Sequence, residues 1–264
     1  MFTKSEAVAA LESNIWSMMA QFGRIDPGRL IDTPSRLVLE TDVPKPPYNT
    51  VFRFYDEGDR SIDDQVRELI ARFESRDCTP VWLVHPTTPS GVRESLAEQG
   101  WVCAEILPGM IHTLDDLAPI PDTPSGIEVI EAGVGHGAAW LDLVSTRYGL
   151  DENDSPYLRG VYDRYIGKGV RVWIASHDGV PVSKIGIHIA GQVAGVYGVA
   201  TSERGRGKGL ASLLTNIALH ATADAGLSAS VLHSTPMAQS LYQRLGYQDV
   251  DNFEVWARPD EVHL

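Results

Sequence analysis

Eight consecutive residues, Glu203-Arg-Gly-Arg-Gly-Lys-Gly-Leu210, gather three cations and three glycines into one short stretch. Arg204, Arg206 and Lys208 supply positive charge, and Gly205, Gly207 and Gly209 let backbone N–H groups come close to a ligand. An apolar, strand-like run, Val193 to Thr201, leads in, and a helical pattern follows, with Leu210, Leu213, Leu214, Ile217 and Ala221 on one face. A loop opening onto a helix offers unpaired N–H groups and the positive end of the helix dipole, so a phosphate or pyrophosphate is its natural ligand. Two common phosphate loops do not fit. Lys208 is followed by Gly209 instead of Ser or Thr, which rules out a Walker A loop, and Leu210 stands where a Rossmann fingerprint needs its third glycine. The loop stands out because the chain is acidic, with a net charge of −13 over 264 residues. Basic residues number 11 against 20 acidic ones up to Ser125, and 11 against 15 beyond it. Such a balance argues against a nucleic-acid or anionic-membrane partner.

A second pattern lies further along. Ala238-Gln-Ser-Leu-Tyr-Gln-Arg-Leu-Gly-Tyr247 is spaced as a helix, with Tyr242 in line with Ala238 and Leu245. Arg204-x-x-Gly207-x-Gly209, placed after Val196-Tyr-Gly-Val-Ala-Thr201 and before this helix, resembles the GNAT superfamily of acyl-CoA-dependent N-acetyltransferases. That family carries Gln/Arg-x-x-Gly-x-Gly/Ala after its fourth strand and an Ala-x-x-Leu-Tyr-x-x-Leu-Gly-Phe/Tyr helix later. The resemblance covers about residues 126 to 258. It implies the GNAT fold and acetyl-CoA as cosubstrate. By this resemblance the backbone at Tyr197, Gly198 and Val199 pairs with the pantetheine arm like an added strand. Gly205, Arg206, Gly207, Lys208, Gly209 and Leu210 would wrap the pyrophosphate, with Arg204 fixing the loop. Thr235 stands where the family usually has an Asn touching the cofactor. Tyr242 matches the tyrosine that protonates the departing CoA thiolate, a transfer between groups of similarly high pKa. A strand amide near Val199 would stabilise the oxyanion. Gly195 and Gly198 within one strand independently suggest a bulge or the close approach of another backbone, as a pantetheine requires.

A general base is harder to find. An acceptor amine is protonated at neutral pH and must lose a proton before it attacks. The family often uses a Glu on its fourth or fifth strand, yet neither Val193 to Thr201 nor Ser228 to Leu232 holds an acidic residue. His188, His233 and Tyr197 are the candidates, with Asp249 and Asp251 behind them. His-Glu-x-x-His, Cys-x-x-Cys and Gly-x-Ser-x-Gly are all missing from the sequence, so no metal and no acyl-enzyme are expected. The acceptor amine, of a small molecule or peptide, would attack acetyl-CoA directly in a ternary complex. Asp151-Glu-Asn-Asp154, between two helical patterns where the family's acceptor site usually lies, could draw in a cation. The alternative is a non-catalytic acyl-CoA-binding, sensing or scaffold protein, which would not need Tyr242.

Several elements must position these residues. The first helix has Val8, Leu11, Ile15, Met18 and Phe22 at helical spacing, and Thr3 with Glu6 forms a capping box instead of a signal-peptide start. Strands are expected over Arg36 to Val43 and Asn49 to Tyr55, a helix over Ser61 to Ser75, then strand, helix, strand, strand. After Pro119, Pro121 and Pro124 come a strand (Ile127 to Glu131), helices over Gly137 to Tyr148 and Pro156 to Ile166, and strands over Val170 to Ser176, Pro181 to Ala190 and Val193 to Thr201. Asp178-Gly179 and Gly191-Gln192 mark hairpins, and a helix runs from about Gly207 to Ala225.

Laid together with a shift of 146 residues, Ser90 to Trp101 matches Pro236 to Tyr247, a sign of internal duplication in which the first copy lacks the glycine-rich loop. The expected fold is α/β (α+β), with a mixed, mostly antiparallel central sheet flanked by helices, in two tandem GNAT-like domains. Residues 1–118 form a degenerate copy, 119–126 a proline-rich linker, and 127–264 the catalytic domain. Cys78 and Cys103 are too few for a disulfide framework, which points to a reduced, cytoplasmic setting. A monomer or homodimer without membrane attachment is expected.

Overall fold

The computed structural model describes residues 2–76, 78–148, 150–151, 153–166 and 169–259. By compactness the chain forms two units. Unit 1 comprises residues 1–18 and 108–250, and unit 2 comprises residues 19–107 and 251–264.

Unit 1 begins with helix α1 (Lys4–Gly23), whose first turn is closed by the capping box: Thr3 N–H donates to Glu6 Oε2 at 2.8 Å and Glu6 N–H to Thr3 Oγ1 at 3.3 Å. Its apolar stripe, Val8, Leu11, Ile15 and Met18, is buried. From residue 108 the unit takes in the second half of a long strand, here numbered β5 (Val102–His112). It continues with β6 (Ile127–Ala132), α4 (Gly137–Tyr148), α5 (Ser155–Tyr165), β7 (Val170–His177), β8 (Val180–Ala190), β9 (Val193–Thr201), α6 (Leu210–Asp224), β10 (Ala229–His233) and α7 (Pro236–Arg244), and closes in β11 (Gln248–Ala257). Pairings run β6–β7–β8–β9 antiparallel, β9–β10 parallel and β10–β5 antiparallel. Asp178 (φ 51°) and Gly179 (φ 75°) make the β7–β8 turn, with φ positive at both central residues as a tight right-twisted hairpin demands. Helix α6 buries Leu210, Leu213, Leu214, Ala218 and Leu219 in a core with Trp173, Val182, Ile185, Ile187, Tyr242 and Tyr247.

Unit 2 holds β1 (Arg29–Asp32), β2 (Arg36–Glu40), β3 (Thr50–Phe54), α2 (Ile62–Glu74), β4 (Val81–Val84) and α3 (Gly91–Glu98), with residues 251–257 of β11. β1, β2 and β3 are antiparallel, β3 and β4 parallel, and β4 and β11 antiparallel. Phe54, Phe73, Trp82, Val84, Leu96 and Trp101 form its core.

The two runs β3-α2-β4-α3-β5 and β9-α6-β10-α7-β11 repeat one order, each with a parallel pair in the middle. Their last strands are exchanged. Residues 109–112 of β5 pair with β10 inside unit 1, and residues 254–256 of β11 pair with β4 inside unit 2. Two expectations change. The final "strand, strand" of the first half is one strand of 11 residues, because Pro108 inside it still offers its carbonyl, which accepts Ser234 N–H at 2.8 Å. The helix expected from Gly207 starts at Leu210, since Gly207 (φ 73°) and Gly209 (φ 71°) adopt the left-handed conformation. The proline-rich segment lies between β5 and β6 within unit 1.

Candidate functional site

The site is built around the end of β9. Its parallel ladder with β10 runs from Val193↔Ala229 to Val196↔Leu232 and stops there, so the two strands part at Tyr197. Burial changes at the same place: Val193 to Val196 are buried, whereas Gly198 is exposed. On the opposite side Tyr197 faces Gly186 and Ala200 faces Lys184, which leaves Gly198 and Val199 together opposite Ile185. This is a β-bulge, with Gly198 at φ 59° as its left-handed residue. The bulge and the parting of the strands leave the 197–199 backbone off the β10 ladder, where an extended ligand can add as a strand.

Next in sequence, the loop is held from beneath. Ser202 N–H donates to Val182 O at 2.8 Å, and the Ser202 carbonyl accepts Gly205 N–H at 2.9 Å and Arg206 N–H at 3.1 Å. Gly205 is buried so tightly that a Cβ there would lie 2.9 Å from both Thr201 Cγ2 and Val182 O. Gly207 and Gly209 are the opposite case, with open space where a Cβ would be. Gly209 is the N-cap of α6 and brings no side chain to its N–H groups, so the first-turn donors are left for a ligand. Arg204, Arg206 and Lys208 are exposed and make no ion pair among the described residues. Arg204 makes no hydrogen bond to the loop, whose shape comes from the Ser202 carbonyl and the buried Gly205.

Beyond the end of β10, Thr235 is the N-cap of α7 and its carbonyl accepts Ala238 N–H at 3.0 Å. Two turns on, Tyr242 is 6% exposed and meets Tyr247 edge-on at 5.8 Å between ring centroids. Its hydroxyl makes no hydrogen bond among the described residues, and burial pushes its pKa up to about 12.

Residues 138–247, which contain every one of these groups, match the family model described as Acetyltransferase (GNAT) family. This segment is similar to GNAT acetyltransferase domains. No curated protein matches the chain in sequence. Among solved structures, a GCN5-related N-acetyltransferase from Kribbella flavida is 20% identical with TM-score 0.67, over 94% of this chain and 95% of that one. One from Sphaerobacter thermophilus is 16% identical with TM-score 0.63, over 97% and 93%. A tandem GNAT protein from the clavulanic acid biosynthesis pathway is 17% identical with TM-score 0.58, over 86% and 80%. These are likenesses of fold.

The residues considered as bases are mostly engaged elsewhere. Tyr197 donates its hydroxyl to Asn14 Oδ1 at 2.8 Å, and burial raises its pKa, so it stays protonated. His188 Nε2 lies 2.9 Å from Ser17 Oγ, and burial pushes its pKa down to about 4. Burial takes His233 down to about 3. Asp249 accepts the side-chain amides of Gln239 at 2.8 Å and Gln243 at 2.7 Å, and Asp251 belongs to unit 2. Gly195 is also explained differently from the sequence expectation: the group that comes close is the side chain of Asn14, whose Oδ1 would lie 2.0 Å from a Cβ at that position. Of Asp151 to Asp154, Glu152 lies outside the described residues. Asp154 is buried and accepts Asp151 N–H at 3.0 Å, so it is turned inward.

One pair escaped sequence reasoning. Lys184 on β8 is fully buried, and its Nζ lies 3.2 Å from the centroid of the Trp140 ring of α4. Trp140 fits because two glycines make room: a Cβ at Gly186 would be 2.8 Å from its Cη2, and one at Gly198 would be 2.4 Å from its Cζ2. The signal was there in a lone lysine two residues from a glycine on the same strand face, at the edge of the uncharged run Ile185 to Ser202.

Proposed function

We propose that this chain is an acetyl-CoA-dependent N-acetyltransferase that transfers an acetyl group to a primary amine of a small molecule or peptide by direct attack in a ternary complex. The reading is carried by one juxtaposition: a bulged strand end parted from its neighbour, followed by a glycine-rich basic loop whose helix N-terminus has no side-chain cap. Acetyl-CoA supplies the acetyl group as an activated thioester. Tyr197, Gly198 and Val199 pair along the pantetheine, and the Val199 N–H faces the thioester oxygen as charge builds on it. Gly205 to Leu210 close on the pyrophosphate through backbone N–H groups, with Arg204, Arg206 and Lys208 adding charge. Thr235 borders the cofactor from the β10 side. Tyr242, kept protonated by its raised pKa and with its hydroxyl unengaged, donates a proton to the leaving sulfur.

Residues 127–264 are read as the catalytic domain, 119–126 as a linker and 1–118 as a degenerate copy. The turn between β3 and α2 supports the last point. It carries Asp56, Glu57 and Asp59 where a cofactor loop would be basic, and Ser61 Oγ accepts Asp64 N–H at 3.1 Å, using a donor that an anion would need. A chain with only two cysteines, Cys78 and Cys103, suits a reduced, cytoplasmic compartment, and a monomer or homodimer is in keeping with this reading.

The test is release of CoA thiol from acetyl-CoA with a panel of primary amines: polyamines, aminoglycosides and peptides with free N-termini. Amine-dependent release supports the enzyme. Tight binding of acetyl-CoA with no release for any amine favours an acyl-CoA sensor instead.

A further inference from the structure

Among the described residues of unit 1, Lys184 is the buried lysine or arginine that the proposed reaction does not use. Nζ has no hydrogen-bond partner among the described residues. No charged group on a neighbouring element offsets its burial, and desolvation alone holds its pKa well below the usual lysine value. Burial favours the neutral amine, whose lone pair a nucleophile needs, over the ammonium. Its position matters more than its ionisation. β8 sets Lys184 opposite Ala200, next to the bulge, and a Cβ at Gly198 would lie 3.4 Å from Nζ. Residue 198, whose backbone is read as running beside the pantetheine, brings no side chain of its own, and the space beside it is held by the Trp140 ring, whose Cζ2 would lie 2.4 Å from a Cβ there. The same ring covers the amine, with its centroid 3.2 Å from Nζ.

The geometry points to Lys184 as a self-acetylation site: with acetyl-CoA bound and no acceptor amine present, Nζ takes the acetyl group. The inference rests on the acetyl-CoA reading above. The Nζ lone pair attacks the thioester carbonyl carbon, a C–N bond forms and the C–S bond breaks. The proton lost from Nζ ends on the CoA sulfur through the Tyr242 hydroxyl, and no other reactant is required. The product is a neutral amide that can no longer be charged inside the core. Its acetyl group takes space beside Gly198 that the Trp140 ring gives up, so the reaction stops at one acetyl group per chain. The Trp140 ring must yield to admit the group, which makes the size of residue 140 a control on the rate.

The full chain is incubated with acetyl-CoA alone and followed by intact mass and peptide mapping, with thermal stability read on the same samples. The expected result is stabilisation by acetyl-CoA together with the mass of one acetyl group, mapped to Lys184. Lys184→Met removes it, and Trp140→Leu speeds it several-fold. Acetyl phosphate, which has no CoA to hold, modifies exposed lysines and leaves Lys184 untouched. Stabilisation by acetyl-CoA with Lys184 unmodified overturns this inference alone. Lys184 modified equally by acetyl phosphate also overturns it. Failure of acetyl-CoA to stabilise the protein overturns the cofactor reading, and this inference with it.

Discussion

The Tyr197 hydroxyl donates to Asn14 Oδ1 at 2.8 Å, across 183 residues of sequence. The same Asn14 donates through Nδ2 to the carbonyls of His188 and Val193, each at 3.2 Å. One buried amide from α1 thus satisfies β8, β9 and a tyrosine beside the bulge, and it does so in the space left by Gly195. Asn14→Ala should destabilise the protein by about 1–3 kcal/mol by leaving buried polar groups unpaired. Gly195→Ala should cost about as much by overpacking. Urea denaturation measures both, and an unchanged midpoint in either would show that this contact does not hold the strand.

The loop assignment makes a sharper prediction. Arg204→Glu should weaken acetyl-CoA binding about ten- to a hundredfold by reversing charge beside the phosphates. Gly207→Glu should abolish it, since position 207 has φ 73° and an added carboxylate would stand in the anion's place. Isothermal titration calorimetry reads both. Wild-type affinity in either variant contradicts a pyrophosphate at the N-terminus of α6.

Much of this was legible in the sequence, and the reason is local chemistry. A loop that wraps an anion needs positive φ and bare N–H groups, so it announces itself by glycine and basic residues, and Tyr242 sits in a helix with its own spacing. What stayed hidden depends on partners distant in the chain. Gly195 signals that something comes close, but a sequence cannot say that it is Asn14. Lys184 and Trp140 meet only because β8 and α4 pack together. The exchange of β5 and β11 was equally hidden, since a strand's partner is set by packing between distant segments and not by its own spacing.

Tyr242→Phe should slow turnover about a hundredfold or more while leaving acetyl-CoA affinity nearly intact, because only the proton donor is lost. Steady-state thiol release with any accepted amine, set beside calorimetric affinity, separates the two effects. Unchanged turnover would make Tyr242 a core aromatic packed on Tyr247.

Stability should fall in mild acid. Burial pushes His188 down to about 4 and His233 down to about 3, whereas in the unfolded chain both take up protons near pH 6.5. Between those limits the unfolded state binds more protons, so stability declines as pH falls, by at most roughly 2 kcal/mol per histidine at pH 5. Urea midpoints from pH 7.5 to 4.5 should show the slope, and His188→Gln should reduce it. A slope unchanged by that substitution would mean that His188 is protonated in the folded state.

The central claim is that the end of β9 and the loop into α6 form a working acetyl-CoA site. Thermal unfolding with acetyl-CoA, free CoA and NADH tests it without knowledge of the acceptor. A ligand at 100 times its dissociation constant adds about 2.7 kcal/mol to the folded state. The account predicts a clear rise in midpoint with acetyl-CoA and CoA and none with NADH. No rise with either CoA species, in protein shown to be folded, would contradict it.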